Sequence, residues 1–412
     1  MAVGNPELSD ERAIGRRVRA VRRHRGLDIE TAAGLAGVSK GYLSRLERGE
    51  RAWTRRGLLA DVASALGCAV ADLTGQPYLA PDRQTSEAAA AIPALNLAFF
   101  DADLDDAPDI PTRPLSMLVS AVRAANVHAD HVQYDLAGAG LGQLITELQV
   151  IVATGGSDDR RVALAALAEA SIVAYGLART TGHNELAVTA ARRGVDAARR
   201  LERLDLIGLT TMCRSVALMR LGARRSAGNV ANSVLTQLSA EPGPTTHATT
   251  VAEARGMLHL TAAMVAARDD ERAAVETHLA EARSLAAHTG ERNHLHFHFG
   301  QANVSAWELS LNVEAGEGPE AAERYQRTPV NLAVFGSRDR EASVHFDLAR
   351  AWAQADGARD DDVITELDAA DRIAPIRVRN DPLARDMVID LHRRARRRMW
   401  ELDSLRNRLG VA

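Results

Sequence analysis

Lys40, Gly41, Ser44 and Arg45 are spaced so that, on a helix, they share one face. That face combines positive charge, a hydroxyl and a glycine without bulk. Such a face can enter a DNA major groove and present donors to base edges. Arg48 extends it by a turn, and Leu43 and Leu46 fall on the opposite, inward face. A second group that could do chemistry is His294, His296 and His298. If that stretch is helical, His294 and His298 stand at i and i+4 on one side, a spacing that can hold a metal. No cysteine or carboxylate stands at matching spacing, and the HExxH pattern is absent. An imidazole-lined pocket and plain packing are the other readings, and neither a metal nor a cofactor is assigned. Leu136–Gly142 is glycine-rich, but no apolar strand precedes it, which favours close helix packing over a dinucleotide loop. No nucleophile motif is present, and the chain reads as a non-enzyme.

The elements around Lys40–Arg45 are legible. Ser39 reads as the N-cap of its helix, and Gly49 as the left-handed residue just past its end. Before it lies a shorter helix from Ile29 to Leu35 with Asp28 as its cap. Ala33 is small where two helices would cross, and Gly37 stands where the chain must turn. Residues 11–25 form a first helix with an apolar stripe at Ile14, Val18 and Val21. Residues 55–66 form a fourth, with Leu58, Leu59, Val62 and Leu66 inward, and a fifth begins at Val70. A small bundle with one solvated, charged helix is the plainer alternative.

This pattern resembles the Cro/repressor-type helix-turn-helix domain of the XRE (xenobiotic-response-element) regulators over residues 12–74, carried mainly by Val38–Gly49. The resemblance implies base reading by Lys40, Gly41, Ser44 and Arg45. It implies phosphate contacts at Ser39, Tyr42, Arg48, Arg51 and Arg17, which fix register without carrying sequence information. Ile29 departs from the Gln common at the start of the second helix in that family, so one phosphate contact is expected to be missing.

The charge is divided. Residues 1–75 hold 13 Lys+Arg against 9 Asp+Glu, a balance of +4, whereas the whole chain carries −4, so the rest carries −8. A basic head on an acidic body suits a module that binds DNA and leaves its body off the duplex. Lys40 is the sole lysine of 412 residues, and arginine and alanine abound, a composition similar to that of actinobacterial proteins. Two cysteines, Cys68 and Cys213, support neither a disulfide framework nor a multi-Cys zinc site. With no apolar run long enough for a membrane span and no secretory signal pattern, a cytoplasmic location is expected.

Residues 1–10 read as a tail and 11–76 as the DNA-binding domain. Residues 77–112, rich in Pro and Asp, read as a linker. Within it, 92–100 is apolar enough to dock on a neighbour. From 113 to 382 the chain reads as helical repeats. Tyr175, Met219, Met264, Trp307 and Trp352 recur at intervals of 43 to 45 residues, which signals stacked helix pairs. First helices are expected near 160–180, 205–221, 247–267, 291–313 and 338–355, with partners after each and a further pair at 114–152. This resembles the tetratricopeptide-like sensor domains attached to helix-turn-helix regulators. Residues 383–409 read as one long amphipathic helix, 383–412 being a basic C-terminal segment.

The expected fold is therefore all-α, a five-helix Cro/repressor-type domain followed by an α-solenoid of tetratricopeptide-like pairs. The expected function is sequence-specific binding of a double-stranded DNA operator, as a homodimer. By resemblance to peptide-pheromone receptors, a small molecule or peptide effector would sit on the concave face, lined by His298, Gln301, Asn303 and Trp307. The alternative is a protein-interaction scaffold with a non-specific or vestigial DNA-binding head. No membrane partner is expected.

Overall fold

The computed structural model describes residues 13–78, 82–240, 247–395 and 399–411. Their regular structure is helical without a strand, which settles the all-α class.

Five short helices form the head: α1 (Ile14–His24), α2 (Ile29–Leu35), α3 (Lys40–Glu47), α4 (Arg56–Leu66) and α5 (Val70–Thr74). Asp28 and Ser39 cap α2 and α3, accepting the Thr31 and Tyr42 N–H groups at 2.8 and 3.2 Å. A cap of this kind stabilises a helix by about 1 kcal/mol. Gly37 and Gly49 take the left-handed conformation at φ 69° and 65°, which permits the turns that enter and leave α3. Val18, Leu43, Leu46 and Leu73 are fully buried between these helices. Arg22 and Glu47 form a bidentate buried pair at 2.5 and 2.7 Å that ties α3 to α1.

Segment 77–112, expected as a linker, carries α6 (Arg83–Ala89) and α7 (Ile92–Phe100). Pro93 opens α7, where its missing N–H costs nothing. Ile92, Leu95, Ala98 and Phe99 are buried in the core of the body, which is why the segment is ordered as helix. The acidic run after it is fixed to the body as well, Asp105 pairing with Arg200.

The body begins with α8 (Leu115–Asp130), α9 (Tyr134–Gly138) and α10 (Leu141–Thr154). Five helix pairs follow: α11 (Ser157–Thr180) with α12 (Asn184–Leu201), α13 (Leu204–Arg220) with α14 (Arg224–Ala240), α15 (Ala248–Arg268) with α16 (Arg272–Thr289), α17 (Gln301–Ala315) with α18 (Gly318–Arg327), and α19 (Arg338–Trp352) with α20 (Asp360–Ile373). Each first helix packs on its own partner and on the first helix of the next pair, the stacking that the 43–45-residue period requires. Glycines mark the closest approaches: a Cβ at Gly142 would fall 2.7 Å from the Ala94 carbonyl, and one at Gly208 would fall 2.8 Å from Ala254 Cβ. The glycine-rich stretch 136–142 thus serves helix packing. The most apolar stretches, Tyr134–Thr154 and Ser157–Thr180, are 61% and 67% buried inside the body, which makes them core.

Two expected helices differ. The first helix of the fourth pair was expected from residue 291 but starts at Gln301. Residues 291–300 instead form a loop with one 3-10 turn, His294–His296. Leu295, His296 and His298 hold positive φ values of 50°, 60° and 52°. Phe299 explains the loop in part: its ring lies over Gly256, so close that a Cβ there would sit 1.9 Å from it. The expected single C-terminal helix is two, α22 (Pro382–Arg394) and α23 (Trp400–Leu409), preceded by α21 (Pro375–Arg379). Turning back lets Leu402, Leu405 and Leu409 bury in the same core as Met387, Val388 and Leu391. A continuous helix could not bury both stripes there. Of its basic cluster, Arg396, Arg397 and Arg398 lie outside the described residues.

Head and body share one core. Leu43, Leu46, Trp53 and Leu58 belong to the same apolar cluster as Val313, Trp352, Leu383 and Leu391. Trp53, in the loop between α3 and α4, is 1% exposed, and its backbone N–H donates to Asp386 Oδ2 at 2.9 Å.

Candidate functional site

The outward face of α3 stands in solvent. Ser39, Lys40, Gly41, Arg45 and Arg48 are exposed, and Tyr42 and Ser44 are half-buried. A Cβ at Gly41 would meet nothing within 4 Å, so the helix surface is flat there. Lys40 Nζ lies 3.2 Å from Glu30 on α2. Ser44 Oγ accepts from Arg48 at 2.6 Å, and Arg48 also pairs with Glu50. These are exposed pairs, worth at most about 1 kcal/mol each, so phosphates and bases can displace them. Helix α2 crosses behind α3, held by the two caps, and the inward leucines fix the rotation of α3. Residues 13–74 match the family described as helix-turn-helix domain.

Residues 13–74 are a helix-turn-helix DNA-binding domain.

No curated protein and no solved structure matches the chain. Within the helix-turn-helix domain, the four residues expected to read bases do share one exposed face. The phosphate candidates divide. Ser39 and Arg48 are exposed at the two ends of α3. Tyr42 is covered by the Arg51 guanidinium, 5.1 Å from its ring centre. Arg51 itself is turned toward the body: its Nε lies 2.8 Å from Asp356, and its Nη2 donates to the Gln354 carbonyl at 3.1 Å. Arg17 donates to the Thr74 carbonyl at 2.9 Å.

The joint between domain and body centres on Glu314, in the last turn of α17. Its carboxylate accepts the first two N–H groups of α4, from Arg56 at 3.2 Å and Gly57 at 2.9 Å. A carboxylate at a helix N-terminus meets the positive end of the helix dipole. The same carboxylate pairs with Arg350, which donates through Nε to the Thr54 carbonyl at 2.8 Å. Burial pushes the Glu314 carboxyl up, but Arg350 and Arg268 outweigh it and hold it at about 2. Arg55 donates to the Glu314 carbonyl at 2.6 Å, and Arg56 pairs with Asp381. None of these residues was singled out from the sequence, because the bonds that cross from domain to body join residues more than 250 positions apart.

Behind this joint, the first helices of the body enclose a cavity of ≈ 270 Å³. Helices α8, α11, α13, α15, α17 and α19 all contribute to its wall. Two of the four expected lining residues are there: Asn303 and Trp307. Asn303 is fully buried, donates to the Phe297 carbonyl at 3.0 Å and accepts from Arg340 at 2.6 Å. Gln301 is not among them; it is exposed and donates to the Arg283 carbonyl. His298 lies outside the wall, because it is buried at 3% exposure against Asp130.

The histidines do not form an i, i+4 pair. His296 Nδ1 and His298 Nε2 each lie 2.9 Å from a different oxygen of Asp130, on α8. His294 Nε2 lies 3.0 Å from Asp205, on α13. Burial pushes the Asp130 carboxyl up, but its hydrogen bonds to both imidazoles outweigh this and hold it far below the usual range. The ligand atoms of Asp130, His296 and His298 lie within 4.8 Å of one another, a donor set a divalent cation could use. In the arrangement seen, one nitrogen of each ring bonds the Asp130 carboxylate, which ties the 291–300 loop to α8. Asp130 carried no motif in the sequence, so nothing pointed to it.

Proposed function

We propose that the protein is a cytoplasmic, XRE-type transcription regulator rather than a catalyst, with its helical body acting as a tetratricopeptide-like sensor. The head reads an operator through Lys40, Gly41, Ser44 and Arg45. Two heads in a homodimer read two half-sites, since one short helix reaches few base pairs. An effector held in the body shifts operator affinity by preferring one docking of the head over another.

The observation that carries this reading is the capped helix α3, whose basic outer face is free of the body at Lys40 and Gly41 while its inner face is buried. The coupling is supported by Glu314 and Arg350, which line the cavity and also bond the backbone of the helix-turn-helix domain. A change in the cavity therefore reaches the head through two side chains.

Genome-wide footprinting of the full chain tests the reading, followed by titration of the site found. Arg45→Ala should lose about 1–3 kcal/mol of discrimination between that site and random DNA. Equal loss on both DNAs would place Arg45 on the backbone, and footprints without a shared sequence would exclude an operator.

A further inference from the structure

The cavity carries more positive charge than its surroundings satisfy. Seven arginines and four carboxylates line it, an excess of three positive charges. Asp381, just outside the wall, offsets one of these through Arg56. Arg350 and Arg377 are paired with carboxylates, with Glu314 and Asp347 and with Asp339. Arg179 and Arg220 are different. Among the described residues, neither guanidinium has a hydrogen-bonded or ion-paired partner; Arg179 stacks over Tyr175 at 5.7 Å, and the Asp339 and Asp381 charges act on Arg179 and Arg220 from beyond ion-pair distance. Arg340 is held by the neutral Asn303 side chain. Burial, reinforced by Arg56 and Arg179, depresses the Arg220 guanidinium well below its usual range.

The orphaned atoms point the same way. Four side-chain atoms in the wall are buried without a hydrogen-bond acceptor: the Nε of Arg179, Arg268 and Arg340, and the Trp307 indole nitrogen; of these, Arg268 Nε faces a carboxylate, Glu314, at 3.9 Å. All four are donors. A buried donor left without an acceptor is destabilising, and an unpaired buried charge more so. Arg179, Arg220 and Arg268 close the last turns of three stacked first helices. The negative ends of those helices offset part of the charge, about half an elementary charge each. The last turn of α13 gives Arg268 one acceptor, the Met219 carbonyl 3.3 Å from its Nη1, whereas among the described residues no carbonyl accepts from the Arg179 or Arg220 side chain. The wall also has an apolar share, to which Met212, Val216, Met257, Met264 and Trp307 contribute.

We propose that this cavity binds a small organic anion with at least two negative charges, a phosphomonoester or a dicarboxylate. Arg179, Arg220 and Arg340 receive its charged end, and the methionines and Trp307 hold its apolar part. At ≈ 270 Å³ the space suits a small molecule and is too small for an extended peptide. Such an anion would compete with Glu314 for Arg268 and Arg350, and so would loosen the joint to the head. That consequence rests on the function proposed above; the binding itself does not.

The test is calorimetric titration of the full chain with phenyl phosphate and with succinate, with phenol as the uncharged control. Saturable one-to-one binding of a dianion is expected, weakened about tenfold or more in Arg179→Gln and in Arg220→Gln. Arg83→Gln, which removes an exposed arginine, should bind as the parent does. Without anion, Arg220→Met should melt at or above the parent temperature, because it removes an unpaired buried charge. A structural arginine would instead lower the melting temperature, and that result would overturn the proposal. So would the absence of binding to both dianions at roughly 10 mM, or equal binding by the folded variants. Operator titration with and without the bound dianion separates the two readings: binding with unchanged operator affinity keeps the anion site and removes the sensing role.

Discussion

Asp356, in the turn after α19, places its Oδ1 2.8 Å from Nε of Arg51, just beyond the foot of helix α3. Its other oxygen stands 3.9 Å from Arg45. A carboxylate of the body thus faces two arginines expected to meet DNA, Arg45 at a base edge and Arg51 at a phosphate. Arg45 and Asp356 are half-exposed and Arg51 is 21% exposed, so solvent screens the contact and DNA can displace it.

Asp356→Asn should therefore tighten binding to any DNA, by about threefold to tenfold at low salt, with the gain shrinking as salt rises. Asparagine tolerates the left-handed backbone that Asp356 adopts at φ 49°, so the turn should survive. Fluorescence titration of a random duplex at two salt concentrations checks this. Unchanged affinity at both would show that the carboxylate does not oppose DNA.

Glu47→Ala should destabilise the protein by about 3–5 kcal/mol, because it strands the buried Arg22 guanidinium. The pair joins α1 to α3, so the loss should appear in the head. Urea unfolding measures it, and a loss under about 1 kcal/mol would mean that water reaches Arg22.

Glu314→Gln should leave Arg268 without a carboxylate and weaken the cap on α4. Amide exchange at Gly57 is the local readout and should quicken by about tenfold or more. Exchange at the parent rate would show that the docking of α4 does not depend on the charge.

Asp386 gives a pH dependence. Burial, reinforced by Asp390, pushes its carboxyl up to about 7 against the pull of the Trp53 N–H. Unfolded, it titrates near about 3.9. The folded state thus holds the extra proton between these values, and stability from this group is full below the unfolded pKa and lost as pH rises through about 7. Asp386→Asn should flatten that fall. The stability difference between the two proteins, measured by urea at about pH 5 and about pH 8, should change with pH. A constant difference would place the titration elsewhere.

How much was legible follows the range of the forces involved. Ser39, Gly49, Asp28 and Gly37 act on their own helix or turn, so the sequence by itself determined the head, its caps and the face holding Lys40 and Arg45. The repeat period did the same for the body, because each pair buries its stripe against the next. The 291–300 loop was different. Its apolar and polar pattern suits a helix, but Phe299 packs onto Gly256, and His294, His296 and His298 take carboxylates on other repeats. The C-terminal hairpin likewise depended on a core that only the folded head and body create together. Arg179, Arg220 and Arg268 did leave a trace, a basic residue closing three successive first helices. Taken singly, each is an ordinary helix-terminal arginine. Only the stacking of the repeats turns them inward onto one cavity, where the carboxylates that would neutralise them are too few.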